Sequence, residues 1–70
     1  MDIRDYLRKH NISFNELARG VGLKRSTVGN KLLGIRPWSA EEALNVVRFL
    51  RKRTGEPVTV EYLFANGKAA

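Results

Sequence analysis

The chain has no cysteine, which excludes disulfide staples and thiolate-held metal and suits a reducing cytoplasm. It has one histidine, His10, with no serine, cysteine or ligand cluster at motif spacing, so neither an enzyme nor a cofactor is expected. Apolar runs are short, none approaching the roughly 20 residues that a bilayer span requires. The opening "MDIRDYLRKHN" mixes charge throughout and lacks the apolar stretch of a signal peptide. These absences lead us to expect a cytoplasmic domain without a membrane partner. Negative charge is scarce as well. Seven Asp and Glu stand against thirteen Lys and Arg, giving a net charge of +6 and a pI near 10.3. Between Glu16 and Glu41 acids vanish altogether, while Arg19, Lys24, Arg25, Lys31 and Arg36 accumulate. A pI above about 9 is the footprint expected of a nucleic-acid binder. Other basic proteins share it, so the placement of the charge decides.

What is present is a succession of short helical patterns with punctuated ends. Seventy residues make a single domain, which at this length buries roughly 60% of its unfolded surface. Asp2 and Asp5 suit a helix start, Ile3, Tyr6 and Leu7 share its inner face, and Asn11 supplies a left-handed stop. Ser13 and Glu16 have capping-box spacing ahead of a second helix with Phe14, Leu17, Ala18 and Val21 as its buried stripe. Gly22 ends that helix. A third runs from about Arg25 to Leu33, with Val28 and Leu32 inward, Gly34 as its cap and Pro37 beyond. Ser39 and Glu42 repeat the capping-box spacing, with Trp38 and Ala43 as a hydrophobic staple. The fourth helix then carries Ala43, Leu44, Val47 and Leu50 inward and ends at Arg51-Lys52-Arg53, cations matched to the helix dipole. Thr59 caps a short fifth helix, with Val58 and Leu63 at staple spacing. The expected fold is all-α, compact and five-helical, over residues 1–64, with 65–70 as a loose tail.

The stretch "FNELARGVGLKRSTVGNKLLG" places glycines inside this pattern. Ala18, Gly22 four residues on, Leu23 next and Val28 five beyond have helix-turn-helix spacing. A small residue lets the helices cross, and a glycine turns the chain at positive φ. With "LARGVGL", "KRSTVGNKLLG", "RPWSAEEALNVVRFL" and "VTVEYLF", the chain resembles the lambda-repressor and Cro family of helix-turn-helix proteins along most of its length. That resemblance implies a five-helix DNA-binding domain with helices two and three as the helix-turn-helix. It departs from the family at Phe14, where a glutamine that touches DNA often stands, and at Lys31, a position usually apolar.

The third helix would then lie in the major groove. Arg25 matches guanine through its planar fork, Asn30 can pair with adenine, and Ser26 serves a base or a phosphate. By resemblance these three fall where the family reads bases. Lys24, Lys31 and Arg36 supply counterion release, and Asn15 and Thr27 stand at helix starts as phosphate contacts. Gly29 would let the helix approach the groove wall. The expected function is a sequence-specific regulator of transcription that binds double-stranded DNA as a homodimer at a pseudo-palindromic operator, a small phage-type or bacterial repressor. The Met1 start favours a complete small regulator, with a truncated DNA-binding domain as the alternative. An antitoxin or adaptor with a protein partner is the alternative function, for which Val46, Phe49, Tyr62 and Phe64 are candidates, as they are for a dimer surface. The competing role for these four, and the preferred one in so small a domain, is to pack the fifth helix onto the fourth. Adjacent Glu41 and Glu42 do not converge as catalytic carboxylates, and Gly20-Val21-Gly22 has no strand before it to make a phosphate loop.

Overall fold

The computed structural model describes residues 2–64, so the expected tail at 65–70 lies outside the described residues. They form α1 (Ile3–Lys9), α2 (Phe14–Val21), α3 (Arg25–Leu32), α4 (Ala40–Thr54) and α5 (Val60–Phe64), with no strand among them. α2 packs on both α3 and α4, and α5 joins α4 to α1.

Local chemistry sets the helix ends. Asn11 adopts φ +56° after α1, the left-handed stop expected of it. Ser13 accepts the Glu16 amide at 3.0 Å, but the Glu16 carboxylate does not return to the cap and instead accepts from Arg53 Nε on α4. The box at Ser13 is therefore half formed, because a guanidinium is a stronger partner for a carboxylate than a neutral amide. At Ser39 both bonds of the box close, at 3.0 and 2.9 Å. Thr59 Oγ1 accepts the Tyr62 amide at 3.1 Å at the start of α5. α3 ends one residue earlier than expected. Gly34, at φ +83°, then closes a Schellman pair, its amide reaching Lys31 at 3.2 Å and the Ile35 amide reaching Asn30 at 2.9 Å.

Tyr6, Leu7, Leu17, Val28, Val47, Leu50 and Leu63 form the centre of the core, with Val58 buried at its edge. On α4 the expectation needs correction. Leu44 is 43% exposed, whereas Val46, offered as a surface residue, is fully buried. Positions 43, 46, 47 and 50 share one face at three-four spacing, and at roughly 100° per residue Leu44 falls outside it. The burial of Val46 removes it from any dimer surface.

Two polar ties join helices beside this core. Glu16 and Arg53 join α2 to α4. The Tyr6 hydroxyl donates to Glu56 Oε1 at 2.7 Å and lies 2.9 Å from Thr54 Oγ1, tying α1 to the end of α4. Burial pushes the Tyr6 phenol above its ordinary pKa, while the bond from Tyr6 holds Glu56 below the usual carboxylate range. His10 stacks beside Tyr6, ring centroids 4.4 Å apart, with Nε2 3.4 Å from Glu56 Oε1.

Gly20 and Gly22 serve different ends. Gly22 sits at φ +76° with open space about its α-carbon, and the Leu23 amide following it bonds back to Ala18 at 3.0 Å. Gly20 lies in the last turn of α2, where a β-carbon would overlap the ring of Phe49 from α4. Gly20→Ala should therefore cost on the order of 1–3 kcal/mol through overpacking, although alanine is the better helix former. Gly22→Ala should cost about 1 kcal/mol through backbone strain alone. Urea unfolding separates the two when each is combined with Phe49→Leu. The smaller side chain should offset the loss at residue 20 and leave that at residue 22 unchanged.

Candidate nucleic-acid interface

The α2–α3 turn brings the first turns of two helices together. Phe14 opens α2 and Arg25 opens α3, and the Arg25 guanidinium carbon lies 4.9 Å from the centre of the Phe14 ring. Such a stack contributes about 0.5–1 kcal/mol at an exposed site and restricts an otherwise mobile side chain. Gly29, one turn further along α3, makes room for it: a β-carbon there would lie 2.9 Å from Arg25 Nη1. Gly29 is thus buried beneath Arg25, and the space its missing side chain leaves is taken by the guanidinium. The expectation that Gly29 opens the helix surface to a groove wall is corrected accordingly. Phe14 itself is half-buried, the support on which Arg25 rests.

Around this pair the structure exposes most of the residues that the sequence singled out. Lys24 is the N-cap of α3 and makes no side-chain cap bond. Ser26 follows Arg25 and is exposed, and Thr27 and Asn30 are half-buried. Asn15 is exposed in the first turn of α2, and Arg36 is exposed in the loop beyond α3. The first turn of α3 holds no acid, and Glu16, in the first turn of α2, is paired with Arg53. The starts of α2 and α3 therefore meet beside Lys24 and Arg25, which have no ion pair among the described residues, an arrangement that suits an anion.

Lys31 is the exception. Its ammonium donates to the Pro37 carbonyl at 2.9 Å, pairs with Glu42 at 2.9 Å and lies 5.9 Å from the centre of the Trp38 ring. Its side chain is only 10% exposed. Lys31 is a strut between α3 and the start of α4, and its expected phosphate contact is corrected. Sequence reasoning missed the strut because Glu42 lies 11 positions from Lys31 and already had a capping role.

The other aromatic candidates turn largely inward. Phe49 packs on Gly20, and Phe64 meets Trp38 edge to face with centroids 5.9 Å apart. Tyr62 stays 45% exposed with its ring edge-on to Tyr6. The most exposed large apolar side chains are instead Leu33 and Ile35, at 58% and 67%, where α3 gives way to the loop.

No family profile, curated protein or solved structure matches this chain. Among the described residues, no group of three His, Asp or Glu could hold a metal ion, and no helix is long and apolar enough to cross a membrane.

The strut makes stability depend on pH. The Ser39 amide, first, and then the Lys31 ammonium hold Glu42 below the usual carboxylate range. A depressed carboxylate contributes stability above its unfolded pKa and loses it as pH falls through the folded value. Glu42→Gln should therefore cost about 1 kcal/mol near neutrality, at the upper end for accessible ion pairs. Thermal unfolding across pH should show the gap to the parent closing in acid below the ordinary Glu range, and a gap constant with pH would contradict the assignment.

Proposed function

We propose that this chain is a sequence-specific double-stranded DNA-binding regulator of the helix-turn-helix kind, with α2 and α3 as the two helices of the motif. The observation that carries this reading is the Arg25 guanidinium, held on Phe14 over Gly29 at the exposed start of a helix whose first turn has no acid. A pre-positioned planar fork suits the O6 and N7 acceptors of guanine, and less side-chain entropy is lost on pairing than for a free arginine. Exposed Ser26 and half-buried Asn30 on the same helix are proposed as the further base readers. Lys24, Asn15, Thr27 and Arg36 surround it as phosphate contacts that fix the register.

The same geometry suits repression by occlusion. The longest extent of the molecule is 27 Å. Half-sites one helical turn apart are separated by about 34 Å, so two copies fit side by side on one face of a duplex. A homodimer covering a pseudo-palindromic operator then blocks polymerase sterically, with no need of a ligand or a cofactor.

Selection of bound duplexes from a random pool tests the proposal. A two-fold symmetric motif with a guanine in each half-site is expected. Arg25→Ala should cost about 1 to 3 kcal/mol and relax preference at that base pair, whereas Lys24→Ala should weaken all sequences alike and flatten the salt dependence. A pool that stays random would overturn the specific-regulator reading.

A further inference from the structure

The proposed DNA surface uses the starts of α2 and α3 and leaves a second cationic feature unused. Gly20 and Val21 at the end of α2 form an open groove of about 770 Å³ with the middle and end of α4. Its floor is apolar: the absent side chain of Gly20 admits the ring of Phe49, and Val21 is half-buried beside it. Its rim is basic. Arg48 and Lys52 are exposed, four residues apart on one ridge of α4, with Asn45 continuing the ridge and Arg51 at the margin. No acid lines the groove. Arg51 is fixed by its bond to the Val58 carbonyl at 2.8 Å, whereas Arg48 and Lys52 have no ion pair among the described residues.

We propose that this groove docks an acidic peptide segment of another protein, with one aliphatic or aromatic anchor on the floor and carboxylates on Arg48 and Lys52. Charge complementarity selects the sign of the partner, and the floor selects its kind. An apolar anchor there displaces water from Gly20, Val21 and Phe49, a favourable burial. A phosphodiester in the same place would lose its hydration against hydrocarbon without a donor beneath it. Arg48 and Lys52 are about 6 Å apart along the helix axis, a separation that carboxylates four apart on a partner helix reproduce. A second copy of this chain, at net charge +6, would bring repulsion to a basic rim. The proposal stands apart from the DNA reading, since none of the groove residues is assigned to the duplex.

The test pans a phage-displayed library of random short peptides against the full chain, then titrates the best synthetic peptide into the isotope-labelled protein. Enriched peptides should carry Asp or Glu flanking Leu or Phe, and the amides of Gly20, Val21, Asn45 and Phe49 should shift. Arg48→Glu with Lys52→Glu should weaken the peptide by about tenfold or more, the scale for reversing charges that face a complementary partner. Arg25→Ala should leave the peptide affinity unchanged. Both reversed residues are exposed, and the milder Arg48→Gln with Lys52→Gln, expected to fall between, guards against a folding artefact. No enrichment, a consensus without acids, or shifts confined to other surfaces would overturn the proposal. It would also fall if the double reversal abolished duplex binding while sparing the peptide, or altered the sedimentation of the free protein. The first result would give the groove to phosphate and the second to another copy.

Discussion

The contact between α2 and α4 at Gly20 is the constraint on which the remaining geometry rests. Because no side chain stands between them, the Phe49 ring lies directly against the last turn of α2. One turn earlier in α2, Glu16 is fastened to Arg53, so the helix is held near both ends on α4. With α2 fixed, the left-handed turn at Gly22 sets where α3 begins. That in turn places Arg25 over Phe14.

The scarcity of acids acquires a structural meaning in this setting. Glu16, Glu42 and Glu56 are each committed to fastening elements: α2 to α4, α3 to the start of α4, and α1 to the segment after α4. Carboxylates spent on internal ties do not neutralise the surface. Lys24 and Arg25 thus stay exposed at the start of α3, and Arg48 and Lys52 on α4. Three of the seven acids act as joints between elements, while Asp2, Asp5, Glu41 and Glu61 stay exposed.

Much of the architecture was legible because its signals are local. The serine and glutamate at 39 and 42, the threonine at 59, the glycine at 22 and the asparagine at 11 act on backbone within four residues, and each behaves as its spacing predicts. Legibility fails where a side chain has two suitors. Glu16 has the spacing of a box but finds a guanidinium 37 residues away. Lys31 has the exposure pattern of a phosphate contact but folds onto Glu42 and Pro37. Leu44 and Val46 exchanged places because both fit an apolar α4, and only the neighbours settle which face turns inward. At the candidate site the residue types were readable, but the stack of Arg25 on Phe14 was not, since cation–ring contacts have no sequence period.

The bond from Tyr6 to Glu56 joins positions 50 apart. Among the described residues, the side-chain bonds of α1 to the rest of the fold, from Tyr6 to Thr54 and Glu56, both reach to the far end of the longest helix. Closing so long a loop is entropically costly once but changes slowly with its length. Fraying of the segment around Glu56 would therefore loosen α1 as well, so that the two ends of the described chain open together.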